Sequence, residues 1–397
     1  MVVLLNKYTD FLEDIVLKHS DRNFGLDIAR CVAILLVVFA HSLPFISKYS
    51  DNFRIFNICG FLGVEIFFVL SGFLIGQIII KSVLTDSKEM YRSLKVFYVS
   101  RWLRTLPSYY LIVIILIVFN RPFVWTNLLF IQNFNVNDLT FFPVSWSLTI
   151  EEWFYLLIPL IMVILSKYIF KDTKKSFFFT CILVILGSLA LRFFVVYKFN
   201  VPYDLGIRKQ IYLRLDGIMF GVLFAGVKTY YNKLYTKLAK SKFMLHTGLL
   251  FFVFTVICSF NGIGQDANIS LYKRTLFFTF SSISCIFIVV WLEQSKLINS
   301  ISTKSKILKS ITFISKISYS LYLIHHSIIM VFLHYNETID SVTKSTGLML
   351  VSVLISILLA LIMYKYFESP IMNYRKKLIS NMNNNGVESK DKLSISN

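Results

Sequence analysis

Long apolar runs separated by short polar segments dominate the pattern of this 397-residue chain. A helix that crosses the ~30 Å hydrocarbon core of a membrane needs about 17–25 apolar residues. The pattern therefore predicts an all-α integral membrane protein, a bundle of about ten transmembrane helices. The predicted spans are 24–46, 57–80, 105–120, 147–166, 176–197, 211–227, 243–260, 275–292, 312–333 and 347–366. The least regular are 105–120, which is short, and 211–227, which carries Arg214 and Asp216.

Composition supports a single membrane domain. Hydrophobic residues make up 56% of the chain and charged residues 16%, and the mean hydropathy is +0.66, which leaves too few polar side chains to coat a water-soluble globule. The predicted organisation is a cytoplasmic N-terminal segment at 1–23, a transmembrane domain at 24–370 and a disordered cytoplasmic tail at 371–397. The five cysteines lie in apolar runs without metal-ligand spacing, so neither a metal site nor a disulfide framework is predicted.

The distribution of charge predicts an orientation. Lys and Arg outnumber Asp and Glu by 41 to 22, which gives a formal net charge of +19. With the N-terminus inside, about three quarters of the loop Lys and Arg fall on the cytoplasmic side, as the positive-inside rule requires. Both termini are then cytoplasmic, and the net charge reflects topology and attraction to anionic lipid. Nucleic-acid binding is not favoured, because the loops carry no known binding motif.

Ionisable side chains inside the first span indicate a functional site, because hydrocarbon offers them no partner. Arg30 and His41 lie on one helix face, roughly 16 Å apart along the axis. Arg101 and Arg104 begin the third span at the predicted level of Arg30, and arginine forks suit phosphate. Three arginines at an inner mouth and a histidine beyond them match a ligand with a phosphorylated head and a long arm, such as acyl-coenzyme A.

A second set of polar residues is predicted at one depth in the outer half of the bundle. Acids, imidazoles and guanidiniums at one level can neutralise one another around a wet cavity. An outward-facing polar chamber is therefore predicted, with several of its members as candidates for binding a substrate. The set comprises His41, Glu65, Glu151, Glu152, Arg192, Arg214, Asp216 and His325, with Tyr322 beside His325.

Several of these residues have a structural alternative. Glu151 either orients His41 or forms an ion pair with Arg192 or Arg214. Arg214 and Asp216 either hold an acceptor sugar or form two separate interhelical pairs, because residues spaced i, i+2 do not face each other on a helix.

The remaining candidates have similar alternatives. Glu65 shares its span with Gly72 and Gly76, a spacing that permits close helix approach, and an ion pair that aids packing is its alternative. His325 either lines the acceptor path or makes an interhelical hydrogen bond, and His326 is expected to pack or face lipid headgroups.

Seven sequence blocks follow one another in a characteristic order. They are LDIAR with His41, GVEIFFVLSGFLI (63–75), RWLRTLP (101–107), WSLTIEEWFY (146–155), RLDGIMFG (214–221), ISYSLYLIH (317–325) and FESP (367–370). In this order they resemble the acyltransferase-3 family of multi-pass bacterial membrane O-acyltransferases. The blocks extend over nearly all of the predicted transmembrane domain.

The resemblance implies an enzyme of the bacterial cytoplasmic membrane that moves an acyl group, usually acetyl, from cytoplasmic acyl-CoA to a carbohydrate hydroxyl. By matching position, His41 is the essential histidine and Arg30 its partner in the first-helix motif. Arg101 and Arg104 form the inner basic motif, and Glu151 holds the acidic position. Some relatives add a periplasmic hydrolase-like domain after the core, so a handover to such a domain would need a separate periplasmic protein here.

The chemistry leaves two routes open. A neutral His41 imidazole can take the proton of the acceptor hydroxyl as its oxygen attacks the thioester. Alternatively, His41 carries the acyl group as a covalent intermediate. The rival function is an exporter or flippase of a glycan or lipid-linked sugar, but the paired repeats and broken helices typical of transporters are not evident in the sequence.

Overall fold

The computed structural model describes residues 23–85, 89–134, 139–199, 201–260, 270–295, 298 and 306–394. All regular structure in these ranges is helical, which confirms the predicted all-α fold. The α-helices of more than four residues are α1 Phe24–Ser42, α2 Ile58–Ile78, α3 Met90–Val118, α4 Ser145–Ile164, α5 Thr173–Lys198, α6 Leu215–Tyr230, α7 Asn232–Lys240, α8 Lys242–Phe260, α9 Leu276–Gln294, α10 Lys306–Asn336, α11 Val342–Met363 and α12 Ser369–Ser394.

Polar side chains just before several helices fix where those helices begin. Asn23 precedes α1 and accepts a hydrogen bond from the backbone N–H of Leu26 at 3.1 Å. Asp172 precedes α5 and accepts one from Lys174 N at 2.8 Å. Such caps satisfy backbone donors that have no partner within the helix.

Eight helical stretches of the described chain are long and apolar enough to cross a membrane. The pair Asn232–Lys240 and Lys242–Cys258 is bent by 67° and brings the number to nine if it forms one broken span. By helix length and composition the chain is therefore a multi-pass membrane protein. The count falls short of the predicted ten.

Two predicted spans account for the difference: 243–260 counts only as part of the bent pair, and 211–227, which corresponds to α6, is not counted. This helix has 16 residues and is about 24 Å long, shorter than the ~30 Å hydrocarbon core. It runs beside α2 in the same direction, with Gly217 near Glu65 and Ala225 near Gly76. The polar residues around 201–214 form a π-helical turn and loops before it, which is why the helix begins at Leu215 and not at 211 as predicted.

The third span also differs from its predicted bounds. α3 begins at Met90, whereas the apolar run begins at 105. Its first half carries Arg92, Arg101 and Arg104, so hydropathy alone does not detect it. In the structure one helix runs through all three arginines, so they all lie on α3.

Helices α2 and α6 pack with their backbones in close approach. A Cβ atom at Gly72 would overlap the carbonyl oxygen of Ile218, and one at Gly221 would overlap that of Val69. Small residues allow this approach, which the spacing of Gly72 and Gly76 predicts. The contact fixes α2, which contributes walls to both cavities described below.

The structure describes most of the C-terminal segment of the chain and almost none of the N-terminal segment. Helix α12 occupies Ser369–Ser394, most of the segment 371–397 for which the sequence predicts disorder. Arg375 of α12 donates a hydrogen bond to Ser100 O of α3 at 3.4 Å, so the start of this segment packs on the bundle. The predicted N-terminal segment 1–23 lies outside the described residues except for Asn23.

Candidate functional site

One cavity, of about 410 Å³, lies where α2, α3 and α12 meet. Its walls include four arginines, and we call it the arginine cavity. Three of them lie on α3 and one on α12. The lining residues are Ile75, Ile78, Ser82, Glu89, Arg92, Ser93, Val96, Phe97, Ser100, Arg101, Arg104, Arg375 and Ile379.

Arg101 is the most firmly held of these arginines. Its Nη2 donates to the hydroxyl of Tyr155 at 2.5 Å and lies 3.6 Å from Oε2 of Glu151, and its guanidinium carbon lies 3.9 Å from the Tyr155 ring centroid. Tyr155 OH in turn donates to Glu151 Oε2 at 3.0 Å. Glu151 therefore pairs with Arg101, and not with Arg192 or Arg214 as one alternative predicted.

The other three arginines differ in their contacts. Arg104 is exposed, as its place on the cavity wall allows. Arg92 Nη1 lies 3.4 Å from Glu89 Oε2, and its Nη2 donates to a backbone carbonyl of α12 at 2.6 Å. Arg375 comes from α12 itself. One acidic residue thus faces four arginines among the described lining residues, a surplus of positive charge that suits phosphate groups.

A second cavity, of about 240 Å³, contains His41 and is called the histidine cavity. It is bounded by the C-terminal end of α1, the N-terminal ends of α2 and α4, the 204–209 turn and α10. The lining residues are Ala40, His41, Asn57, Gly60, Phe61, Val64, Pro143, Val144, Trp146, Arg208, Lys209, Tyr322 and His326. Tyr322, a candidate for binding the substrate, lines this cavity, and so does His326, for which packing or headgroup contact was expected.

A histidine pair fixes the protonation pattern of His41. Nδ1 of His325 lies 2.9 Å from the carbonyl oxygen of Leu321, which can only accept, so this nitrogen carries a proton. In neutral His325 the other nitrogen, Nε2, is then an acceptor, and it lies 2.9 Å from Nδ1 of His41. His41 must donate from Nδ1, which leaves the lone pair of its Nε2 free. His325 thus orients the ring and sets the tautomer of His41.

The two cavities lie at opposite ends of α2 and share no lining residue among those described. On this helix Val64 lines the histidine cavity and Ile75 lines the arginine cavity, roughly 16 Å further along the axis. This separation equals the predicted spacing between the inner arginines and His41.

A row of polar side chains on α4 runs between the two cavities. Ser147, Glu151 and Tyr155 recur every four residues and so lie on one helix face, spanning about 12 Å. At one end, the hydroxyl of Ser147 lies 2.6 Å from that of Tyr322, which lines the histidine cavity. At the other end, Glu151 and Tyr155 contact Arg101, which lines the arginine cavity. The row therefore lies on the face of α4 between the linings of the two cavities.

Arg30 and Glu152 lie away from both cavity linings. Arg30 Nη1 is 3.2 Å from Oδ1 of Asp27 on the same helix, and Asp27 also accepts from Ser315 Oγ at 2.8 Å. Glu152 is buried on the side of α4 that faces α3, in the neighbourhood of Arg101. The structure thus does not gather Arg30 with the cavity arginines, nor Glu152 with His41.

Glu65, Arg214 and Asp216 lie in two fully buried interhelical ion pairs. Arg214 pairs with Glu65, whose other oxygen accepts from Ser282 Oγ at 2.9 Å. Arg192 donates to both oxygens of Asp216, at 2.9 and 2.7 Å. None of these four charged residues lines either cavity. Their arrangement is the one predicted by the structural alternative, two separate pairs between helices.

The Arg192–Asp216 pair is expected to be essential for folding. Substituting Arg192 by alanine leaves a buried carboxylate without its partner, a change that costs about 3–5 kcal/mol in comparable buried pairs. We expect thermal denaturation of the purified protein in detergent to show a large fall in midpoint for Arg192→Ala. The double variant Arg192→Met/Asp216→Leu, which removes both charges, should recover most of it. Equal losses in the single and double variants would contradict this role.

Sequence reasoning missed several residues at these sites. Tyr155 and Ser71 hydrogen-bond to each other, and each lies within one of the seven blocks. Their positions on the helices of these blocks could have identified them as site residues. Arg208 and Lys209 lie outside every block, in a loop whose folding onto the cavity no local pattern indicates. Arg375 lies in the segment predicted to be disordered.

Comparison with known proteins identifies the family of the chain. The acyltransferase-3 family profile, described as an acyltransferase domain, matches residues 23–364. The chain is similar to "Putative peptidoglycan O-acetyltransferase YrhL" of Bacillus subtilis (strain 168), with 28% identity over 375 residues, covering 87% of this chain and 54% of that protein. No solved structure matches the chain.

Two further relatives have related names. "Putative O-acetyltransferase SACOL0978" of Staphylococcus aureus (strain COL) is 26% identical over 387 residues, covering 90% of this chain and 58% of that protein. "Peptidoglycan O-acetyltransferase OatA" of Listeria monocytogenes serovar 1/2a is 28% identical over 172 residues, covering 38% of this chain and 25% of that protein. The chain thus spans little more than half the length of the Bacillus and Staphylococcus proteins. Because the family profile matches most of its residues, the resemblance is confirmed and this chain belongs to the acyltransferase-3 family.

Proposed function

We propose that this chain is a membrane O-acyltransferase that moves an acetyl group from cytoplasmic acetyl-CoA to a hydroxyl of a cell-surface or lipid-linked glycan. The observation that carries the proposal is the pair of cavities at opposite ends of α2, with the polar row on α4 between them. One cavity has the arginines that suit a phosphorylated donor, and the other has a histidine with a free lone pair.

The donor binds with its phosphates in the arginine cavity. Arg101 and Arg104 are the predicted donor residues, and Arg92 and Arg375 join them on the same walls. We assign no direct phosphate contact to Arg30, because it does not line the cavity and pairs with Asp27. The pantetheine arm of coenzyme A is comparable in length to the roughly 16 Å between the cavities, so the thioester reaches the histidine cavity along the row on α4.

The reacting atom of the protein is Nε2 of His41. As general base, it takes the proton of the acceptor hydroxyl while the hydroxyl oxygen bonds to the thioester carbon. The carbon–sulfur bond then breaks, and the proton passes to the leaving thiolate. In the covalent route the same nitrogen bonds to the thioester carbon first, and the carbon–sulfur bond breaks to release CoA as its thiolate. The acceptor oxygen then bonds to the acetyl carbon as the carbon–nitrogen bond breaks, and the hydroxyl proton passes to the thiolate. Acetyl label that stays on the protein when acceptor is absent would distinguish the covalent route.

The acceptor enters at the other face of the membrane. From the positive-inside rule we propose that both termini and the arginine cavity lie on the cytoplasmic side, so that the histidine cavity faces outward. The names of the Bacillus and Listeria relatives include the word peptidoglycan. We therefore propose peptidoglycan, or a precursor with the same sugars, as the first acceptor to test.

The separate cavities favour a transferase over an exporter. An exporter must pass a whole glycan, which needs one continuous path through the bundle. Here the two cavities share no lining residue among those described, and the polar row on α4 lies between them. Such an arrangement suits the passage of a thin acyl-carrying arm.

The test uses the full chain in lipid nanodiscs, which give access to both faces. Acetyl-CoA labelled in its acetyl group is added with peptidoglycan fragments, and ester-linked label on the glycan is measured by mass spectrometry and by its release in mild alkali. We expect labelled ester that depends on the protein. Hydrolysis of acetyl-CoA without ester formation, or no use of acetyl-CoA, would refute the proposal.

A further inference from the structure

The histidine cavity carries a positive charge that the transfer reaction itself does not require. Arg208 and Lys209 line its mouth, beside Trp146 and His41. Among the described residues that line this cavity there is no Asp or Glu. The cavity therefore presents two permanent cations and no carboxylate to whatever enters it.

A single carboxylate behind the mouth is shared by both cations. Asp204 Oδ1 accepts from Nε of Arg208 at 2.5 Å, and its Oδ2 lies 2.6 Å from Nζ of Lys209. Two positive charges against one negative charge leave this cluster with a net charge of about +1. The side chains of Arg208 and Lys209 are only 22% and 16% exposed, whereas that of Asp204 is 47% exposed. The surplus charge is thus partly buried, where screening by water is weaker.

The pKa shifts of Lys209 and Asp204 agree with this arrangement of charges. Burial and the neighbouring Arg208 guanidinium lower the pKa of Lys209. Burial acts to raise the pKa of the Asp204 carboxyl, but Arg208 and Lys209 bring it below its usual range, so this group stays ionised. An additional anion at the cavity mouth would relieve the repulsion between the two cations.

The loop that holds the cations is fixed to the bundle. Asn133 donates from Nδ2 to the carbonyl oxygen of Lys209 at 2.6 Å. The guanidinium carbon of Arg208 lies 5.1 Å from the ring centroid of Trp146, which is within the range of a cation–π contact. The cations are therefore held close to an aromatic wall in a cavity with room for about one sugar unit, about 240 Å³.

We propose that the acceptor carries a negative charge, a carboxylate or a phosphate, next to the sugar whose hydroxyl is acylated, and that Arg208 and Lys209 bind this charge. The inference rests on the proposed function, since it names the class of acceptor that the histidine cavity takes. The anion replaces part of the contact between the two cations and Asp204. The alternative is that the cations stabilise negative charge developing on the thioester oxygen, which would affect all acceptors equally.

The test measures equilibrium binding of matched sugars to the full chain in nanodiscs, without donor, so that it does not depend on turnover. One pair is N-acetylmuramic acid and its methyl ester, which differ in the charge of the carboxyl group and by one methyl group. The other is N-acetylglucosamine 1-phosphate and methyl N-acetylglucosaminide. We expect the charged member of at least one pair to bind about tenfold or more tightly, and the pair that shows the preference identifies the anion.

Variants then assign the preference to residues. Arg208→Gln and Lys209→Gln should each reduce the charged sugar's advantage about tenfold and leave the neutral sugar unchanged. Asp204→Asn should increase the advantage, because it removes the competing carboxylate. Lys198→Gln is the control, since it removes one charge from the exposed end of α5 without touching the cavity.

Equal binding of charged and neutral sugars in the unmodified protein, or no binding of any of the four, would overturn the inference. So would a preference that Arg208→Gln and Lys209→Gln leave intact. Failure of the proposed function appears separately, as the absence of acetyl ester from labelled acetyl-CoA. Transfer to charged and neutral acceptors with equal kcat/KM would retain the enzyme and reject the charged acceptor.

Discussion

Replacing His41 with alanine is expected to reduce acetyl transfer by about 10²–10⁴-fold, because positioned acid–base groups contribute about that much to rate. The side chain lies in the histidine cavity, and its partner His325 leaves its Nε2 free to react. The measurement is the rate of ester formation from labelled acetyl-CoA by purified protein. The amount of folded protein is followed in parallel by size-exclusion chromatography.

His246→Ala is the matched control, since His246 is an exposed histidine on α8 that lines neither cavity. It should retain full activity. Acetyl transfer at the normal rate by a folded His41→Ala protein would refute the assignment of the reacting group.

The partner histidine gives a sharper test of the tautomer. In His325→Gln the side-chain oxygen can still accept from Nδ1–H of His41, whereas His325→Leu offers no acceptor. We therefore expect the glutamine variant to keep substantially more activity than the leucine variant, at equal protein level. A leucine variant as active as the unmodified protein would show that His325 does not position His41.

Replacing Arg101 with alanine is expected to raise KM for acetyl-CoA roughly ten- to hundredfold and to leave KM for the acceptor nearly unchanged. Charge-assisted hydrogen bonds contribute about 1.5–3 kcal/mol, which corresponds to that range. Arg101 lines the arginine cavity and is held by Tyr155 and Glu151, so its guanidinium is fixed where donor phosphates would bind. Arg101→Lys should recover little, because an ammonium group cannot reproduce the planar fork.

A truncated donor separates phosphate binding from general damage. Acetyl-pantetheine lacks the nucleotide and its phosphates, so the unmodified protein and Arg101→Ala should use it equally poorly. Lys95→Ala is the control for charge, since Lys95 is an exposed residue on α3 outside the cavity lining. An Arg101→Ala protein with unchanged KM for acetyl-CoA, or with the same loss on both donors, would contradict phosphate binding.

The apolar runs predicted the helices well, because hydrocarbon imposes length and composition on any segment that crosses it. The bounds predicted from the apolar runs were wrong where a helix continues through polar residues. α3 extends back through Arg92 because a helix needs no apolar side chains where it borders a polar cavity. α6 begins four residues after the predicted start at 211, because the residues before it form a turn and loop, and it ends three residues after the predicted end at 227.

The candidate site was predicted in part. The order of the spans predicted His41 and Arg101 at opposite ends of the bundle, and they line separate cavities, whereas the helical spacing of Arg30 from His41 did not place Arg30 in the arginine cavity. The depth of a residue in the membrane does not determine which side chains it contacts, because residues at one depth can lie on different sides of a helix bundle. Glu65 and Glu151 illustrate this, as one lies in a buried ion pair with Arg214 and the other contacts Arg101. Only the packing of the helices decides such contacts.

The separation of the two cavities has a consequence for the side of the membrane on which each substrate stays. If each substrate has its own mouth, the thiol carrier never leaves the cytoplasm and the glycan never enters it. In the proposed reaction, only the two-carbon acetyl group crosses the bilayer. The reaction is then vectorial, and the energy of the thioester bond drives both the synthesis of the ester and the movement of the acetyl group, without an ion gradient.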